Sequence, residues 1–143
     1  MSTPTPTTSA ADWLAAADPD PRRAKQWLGH AGVALLPSGV RWDAIRIEPP
    51  LAEHVIASGI TGPVISAPDA CYALVPVGTP WDPVPGTEAL RDTAYVAVPA
   101  PDRVCGPGVY DIYWAQPPDG AGRLVDPGRL AEVIAAQRGG VRR

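Results

Sequence analysis

The chain of 143 residues lacks phenylalanine and has one lysine, two histidines, two cysteines and one methionine. The cysteines, Cys71 and Cys105, show no CxxC spacing and no flanking histidine, so a structural zinc site is not expected. Both lie in or beside apolar stretches, where a free cysteine behaves as a small buried hydrophobic residue. The two cysteines therefore indicate buried packing residues and not a zinc site.

Long apolar runs are also absent. The first twenty residues contain no basic segment followed by an apolar one, and no later stretch reaches the ~18 apolar residues of a membrane span. We therefore expect a cytoplasmic protein that has no contact with the membrane.

Positive charge is not concentrated anywhere in the sequence. The net charge is −3, and acidic and basic residues are spread over both halves of the chain. Proteins that bind duplexes usually cluster Lys and Arg to displace counterions from the phosphates. Nucleic-acid binding stays possible, but the charge pattern does not favour it.

Proline and glycine are abundant, with 19 and 14 residues. Such a composition predicts short helices and strands with many connections, which excludes a long helical bundle. The length suits one domain. We predict a flexible Ser/Thr/Pro leader at 1–9, a single domain at 10–138 and a basic tail at 139–143.

Capping and turn signals divide this domain into short elements. Ser9, the Asp20–Pro21 pair and the Asp126–Pro127 pair are typical helix N-termini. Apolar runs between Gly and Pro predict strands, and residues 79–88 predict a proline-rich loop. The predicted helices lie at 10–17, 21–28, 50–58 and 127–134, and the strands at 33–36, 40–47, 63–66, 71–77, 94–98 and 109–114.

The order of these elements predicts an α+β fold, a mainly antiparallel sheet with helices packed on it. Strands 33–36 and 40–47 are expected to form one hairpin, and strands 63–66 and 71–77 another. Within 40–47 the apolar phase changes, since Val40 and Trp42 share one parity and Ile45 and Ile47 the other. This change indicates a bulge, or burial on both faces, near Asp43.

Motifs for phosphate binding and nucleophilic catalysis are weak. Neither GxxxxGK[ST] nor GxGxxG occurs, and the glycine clusters precede strand-like segments, so they are better explained as turns. His30 and His54 lie near a helix end or on the polar side of a helix, where a surface histidine is common. A Cys71–His54 pair stays open, although the spacing does not favour it.

Three segments carry a resemblance to a known family. They are GVALLPSGVRWDAIRIE, GPVISAPDACYALVPVG and YWAQPPDGAGRLVDPGRLAEVIA. Over about residues 20–136 the chain resembles short actinobacterial proteins of the bifunctional DNA primase/polymerase family. The resemblance implies a primase-polymerase/RRM-like fold and a link to DNA replication.

The same resemblance implies an incomplete catalytic site. The family's first motif carries two acidic residues one apart on a strand, which hold divalent metals against nucleotide phosphates. The matching positions here are Asp43 and Ile45, and the histidine of the second motif is missing from 67–72. Asp111 is the residue that could supply the family's third acid, and a single aspartate beside aromatics on a strand is equally often structural. We therefore expect no catalytic residues, no metal and no cofactor, since two-metal phosphoryl transfer needs more groups.

Three functions remain open. The first is a non-catalytic primase-polymerase-like accessory or regulatory module that binds a protein partner or a nucleotide-like ligand. The second is a residual nucleic-acid-binding or nucleotidyl-transfer protein centred on Asp43, and the third is an oligomeric adaptor that self-associates through an apolar surface. Trp42, Tyr110 and Trp114 are either base-stacking or core residues. The candidate binding residues are Arg41, Trp42, Asp43, Arg46, Asp111 and Trp114.

Overall fold

A computed structural model describes residues 9–82, 84–92, 94–104, 110–119 and 121–141. These ranges contain four helices and seven strands. The helices are α1 (Ala10–Ala15), α2 (Pro21–His30), α3 (Leu51–Ala57) and α4 (Pro127–Val141). The strands are β1 (Val33–Pro37), β2 (Asp43–Ile47), β3 (Val64–Ser66), β4 (Cys71–Val75), β5 (Thr87–Leu90), β6 (Tyr95–Pro99) and β7 (Tyr113–Gln116).

Three of the helices begin at the residues that the sequence indicates. The Ser9 hydroxyl accepts a hydrogen bond from the Asp12 N–H at 3.1 Å and caps α1. Asp20 caps α2, whose first residue is Pro21. At α4 the carboxylate of Asp126 accepts from the Gly128 N–H at 3.0 Å. Each cap satisfies an N–H that has no partner within its own helix.

The strands form two antiparallel sheets. The larger has the order β5-β2-β4-β3-β7, and the smaller consists of β1 and β6. The expected α+β class and the antiparallel pairing are confirmed. So is the hairpin of β3 and β4, in which Val64 lies opposite Ala73.

The predicted hairpin of β1 and β2 is wrong. β1 pairs with β6, whereas β2 pairs with β4 and β5. The turn after β1 is present, but Ser38 bonds it to residues 91 and 94 and not to β2. Its hydroxyl donates to the Arg91 carbonyl and its N–H to the Ala94 carbonyl, at 3.0 Å for the second. The chain therefore leaves the small sheet and enters the large one instead of reversing.

Other boundaries differ by shorter distances. β2 begins at Asp43, so Val40 is an exposed loop residue, and β5 lies partly within the predicted loop 79–88. β7 starts at Tyr113, later than expected. α2 runs two residues further, to His30, and α4 continues to Val141 into the predicted tail. Residues 1–8 of the predicted leader, Cys105, and Arg142 and Arg143 of the tail lie outside the described residues.

The core has two parts, one on each face of the large sheet. Ala44 and Leu74 face α1, α2 and the small sheet, while Ile45 and Ala73 face α3 and α4. β2 is thus buried on both faces, with an unbroken register to its neighbours. The phase change at Asp43 reflects this double burial and not a bulge. Within the described ranges, no helix is long and apolar enough to cross a membrane.

Candidate functional site

A cleft of about 1050 Å³ opens on the face of the large sheet that carries α3 and α4. Its walls are the start of α3 at 48–51, the segment 79–86 and one side of α4. Apolar side chains form most of the lining, among them Leu51, Trp81 and Ile134. Concave, mainly apolar clefts of this size are the usual form of a binding site.

Proline gives this cleft much of its shape. Pro49 and Pro50 form one wall, joined by a cis peptide bond, and Pro80, Pro85 and Pro127 line the others. Because proline fixes φ, each of these segments has few alternative backbone conformations. The cleft walls are therefore partly preorganised by the local sequence.

Asp43 holds the wall at 79–86 in place. Its side chain is 2% exposed, and one carboxylate oxygen accepts the Gly78 N–H at 2.9 Å. Gly78 has a φ of +81°, a left-handed conformation that glycine adopts without strain. The next residue, Thr79, donates its hydroxyl and its N–H to the Pro76 carbonyl and lines the cleft. Asp43 thus fixes the turn through which β4 leads into the cleft wall.

Three further hydrogen bonds tie the same wall to β5 and to Arg91, the residue that follows it. The Arg91 guanidinium donates to the Thr79 carbonyl at 2.9 Å. The Trp81 indole N–H donates to the Thr87 hydroxyl at 3.1 Å, and that hydroxyl donates to the Val84 carbonyl at 2.7 Å. Polar groups at both ends of the segment are satisfied, so Trp81 has a defined position on the cleft wall.

The charge of the cleft is negative. Of the described residues that line it, Glu48 and Asp82 carry carboxylates, and none is Lys, Arg or His. Glu48 accepts from the Arg46 guanidinium at 3.0 Å, whereas Asp82 forms no ion pair with any described residue. The cleft therefore favours an apolar or cationic ligand over a phosphate.

Asp43 and the residues beside it do not fit a two-metal centre. Ile45, at the position of the family's second acid, is 1% exposed and packs in the core beneath α3 and α4. On the same face, Asp43 lies opposite Val75 and Ile45 opposite Ala73. The second oxygen of Asp43 is buried without a hydrogen-bond partner among the described residues. Because these neighbours are apolar, the Asp43 carboxylate has no second acid beside it within the described part of β2 and β4. It accepts a hydrogen bond in the turn at Gly78.

Trp42 and Trp114 are core residues. Both are 0% exposed and pack in the part of the core beneath α1 and α2. The Trp114 indole N–H donates to the Pro99 carbonyl at 2.9 Å, whereas the Trp42 indole N–H has no partner within the described part of the chain. Neither ring exposes a face on which a base could stack. Both tryptophans are therefore explained by packing in the core.

The remaining candidates do not meet in one place. Arg46 projects from the face of β2 opposite Asp43, and hydrogen bonds from its guanidinium to Asp69 and then Glu48 raise its pKa. Arg41 is exposed and forms no ion pair with a described residue. Asp111 is also exposed, on the chain that leads into β7. The binding roles of these residues stay predictions.

Cys71 is buried in the core and is not activated. Burial raises the pKa of its thiol from 9.0 to about 12. No hydrogen bond joins Cys71 to His54 in the described structure. Across the described ranges, no group of three or more His, Cys, Asp and Glu residues is arranged to hold a metal ion. A nucleophilic role for the Cys71–His54 pair has no geometric support.

Sequence reasoning missed the cleft, although a signal was present. The segment 79–86 contains Pro80 and Pro85, and the sequence predicts a connection there because proline disrupts strands and helices. Trp81 in its middle is a large apolar residue in a surface loop, which is typical of binding loops. The sequence alone does not predict that the start of α3 and one side of α4 complete the walls, since these residues are distant in sequence.

No protein-family model, no curated protein and no solved structure matches this chain.

Proposed function

We propose that this protein is a non-catalytic, primase-polymerase-like accessory or regulatory module that binds a protein partner in the cleft between α3, residues 79–86 and α4. The observation that carries the proposal is that Asp43, the one acidic residue left on the strand resembling the catalytic motif, supports the wall of an apolar cleft. In this arrangement the position that resembles the family's catalytic acid supports the turn at Gly78, and the neighbouring cleft is the binding site.

The chemistry of the cleft favours a protein segment over a nucleotide. A nucleotide needs groups that neutralise its phosphates, such as basic side chains or free backbone N–H groups. The lining instead offers apolar side chains with the carboxylates of Glu48 and Asp82 at the rim. A partner with a bulky apolar side chain next to Lys or Arg complements this surface.

Catalysis is tested directly with purified protein, Mg²⁺ or Mn²⁺, nucleoside triphosphates and either a primed or an unprimed DNA template. We expect no primer extension and no dinucleotide synthesis. Product formation that disappears in the Asp43→Ala variant would overturn the non-catalytic assignment and support nucleotidyl transfer centred on Asp43. Salt-dependent retention of single-stranded DNA in a gel shift would support the nucleic-acid-binding alternative.

The cleft is tested with Nile red, a neutral apolar dye that becomes fluorescent in apolar surroundings. Ala131 lines the cleft on an exposed side of α4, so Ala131→Arg should fill it without disturbing the core. Ala136 is exposed on the same helix but does not line the cleft, and Ala136→Arg is the matched control. We expect dye binding to fall only in Ala131→Arg. Equal binding by both variants would mean that the cleft does not take apolar ligands.

Self-association through the small sheet is a second candidate, because its outer face is unusually apolar. Leu35 and Tyr95 are 58% and 66% exposed and lie on the face of β1 and β6 that points away from the core. A second copy of the chain would cover both side chains. Light scattering should then show a dimer that Leu35→Lys converts to a monomer, and a strict monomer in the parent protein would exclude this candidate.

A further inference from the structure

β5 forms one edge of the large sheet, and a groove follows that edge. In the described structure β5 pairs with β2 alone. A hollow of about 560 Å³ is lined by Trp81, by every residue from 87 to 92 and by Ala94. Successive residues of a strand point to opposite faces of a sheet. Because consecutive residues all line this hollow, it runs along the edge of β5 and not across one face.

The hydrogen-bond pattern shows which backbone groups point into the groove. The Glu48 N–H donates to the Gly86 carbonyl at 2.8 Å, and these residues continue the β2–β5 register. In an antiparallel ladder, hydrogen-bonded and non-bonded positions alternate. Residues 86, 88 and 90 therefore face β2, and residues 87, 89 and 91 face outward.

Three hydrogen bonds agree with this alternation. The Thr87 N–H donates outward to the Val84 carbonyl at 3.0 Å, and the Arg91 carbonyl accepts from Ser38 and Ala94. Among the described residues, no hydrogen bond is made by the outward Ala89 N–H and carbonyl, the Thr87 carbonyl or the Arg91 N–H, and these are the groups that another strand would meet. These groups form one continuous row.

The groove leads into the cleft. Trp81 lines both, and its hydrogen bond to Thr87 places it at the start of β5. Three exposed carboxylates border this path, those of Asp82, Glu88 and Asp92, and no described residue forms an ion pair with any of them. The Arg91 guanidinium is bonded to the Thr79 carbonyl. A continuous, negatively charged surface therefore joins a strand edge to an apolar cleft.

We propose that the partner binds as an extended basic segment that adds a strand to the edge of β5 and places an apolar side chain past Trp81 in the cleft. This inference rests on the proposed function, since it specifies how the cleft is occupied. Strand addition uses backbone hydrogen bonds for affinity, and side-chain pockets give specificity. A second copy paired edge to edge is disfavoured, because it would bring the carboxylates of both chains together.

The probe is a phage-displayed library of random linear peptides, selected on the full chain. We expect the selected peptides to be rich in Lys or Arg and to contain one bulky apolar residue. Their affinity should fall on the order of tenfold or more in Ala131→Arg and stay unchanged in Ala136→Arg. Selected peptides that bind Ala131→Arg with the same affinity as the parent protein would contradict the proposed function itself.

The strand edge is tested with Ala89→Pro, which removes the outward N–H and keeps the bonds to β2, a position where edge strands tolerate proline. A loss on the order of tenfold is expected for one or two hydrogen bonds. Peptides that depend on the cleft but bind Ala89→Pro normally would overturn strand addition and leave the cleft proposal intact.

Glu88→Lys, a surface change that does not threaten the fold, tests the charge and covers the case in which Ala89→Pro fails to fold. We expect binding to weaken roughly threefold at low salt, with little effect of Glu132→Lys on the exposed side of α4. Equal binding by both charge variants would contradict a basic segment on β5. Peptide-free protein that dimerises through β5, with the dimer lost in Ala89→Pro, would instead identify the occupant as a second copy.

Discussion

The effect of replacing Asp43 on the free energy of unfolding distinguishes a structural role of its carboxylate from a catalytic role. A metal-binding carboxylate is held near other acidic groups, so its removal often leaves stability unchanged or raises it. Asp43 instead bonds the Gly78 N–H at 2.9 Å beneath the turn 76–79. We expect Asp43→Ala to lower the free energy of unfolding and to loosen the cleft wall.

The magnitude follows from three contributions. Loss of a hydrogen bond to a charged acceptor costs about 1.5–3 kcal/mol, and the lower figure applies because Gly78 is exposed, so water reaches its N–H in the variant. The small cavity left by the carboxylate costs ~1 kcal/mol. Removal of the second oxygen, buried without a partner among the described residues, returns ~1 kcal/mol. The net loss is about 1.5 kcal/mol, which lowers the Tm on the order of 5 °C.

Urea denaturation followed by tryptophan fluorescence measures the loss, and amide hydrogen exchange locates it. Exchange should accelerate at Gly78 and Thr79 before any change in the strands. Asp111→Ala is the matched control, since Asp111 is exposed and a surface substitution usually changes stability by less than about 0.5 kcal/mol. An Asp43→Ala variant as stable as the parent, with unchanged protection at Gly78, would refute the reasoning.

The remaining predictions concern the scaffold. Gly62→Ala should lower the free energy of unfolding by roughly 3 kcal/mol or more, because φ is +111° and a Cβ would lie 2.7 Å from the backbone of Val125, just before α4. Gly59 has a φ of +72° and open space around it, so Gly59→Ala should lower the free energy of unfolding by only about 1 kcal/mol. Urea titration measures both variants. Cys71, with a pKa of about 12, should resist iodoacetamide at pH 8 in a Cys105→Ser background until urea unfolds the chain. Because its folded pKa lies above the ordinary 9.0, stability should fall as pH rises between about 9 and 12, and Cys71→Ala should lessen that fall; an equal fall in both would contradict the assignment. Trp114→Phe should lower the free energy of unfolding by about 2 kcal/mol, because it removes a buried indole hydrogen bond and ring volume, and calorimetry showing an unchanged Tm would contradict its place in the core.

Local signals in the sequence predicted the individual elements well. Ser9, Asp20 and Asp126 begin helices in the structure because each cap depends on neighbours within a few residues. The β3–β4 hairpin was also predictable, since a short turn joins strands that are adjacent in sequence.

Pairings between distant strands were not predictable in this way. β1 pairs with β6, about sixty residues later, and Ser38 in the turn after β1 bonds the carbonyls of residues 91 and 94. An apolar strand is compatible with many partners, and a single sequence does not rank them. The same limitation explains why β5 was not predicted as a strand: its apolar character is weak, and its pairing with β2 defines it.

Within the candidate site, Asp43 shows the same difference between what local sequence predicts and what distant contacts decide. The phase change around Trp42 and Ile45 marked this aspartate as unusual, and the absence of a second acid beside it was evident from the residues themselves. Whether the carboxylate faced an open site or supported a loop depended on where residues 76–79 return. That placement depends on the β2–β4 register and is a tertiary property.

By itself, the sequence determined the class of the fold, the starts of three helices and the change of apolar phase at Asp43. These features depend on composition, periodicity and neighbours along the chain. Only the tertiary structure decided the two-sheet arrangement, the bond between Asp43 and Gly78, and the cleft with its adjoining strand edge. Each of these requires segments far apart in sequence to meet, and the free energy of such contacts is set by the packing of the whole domain.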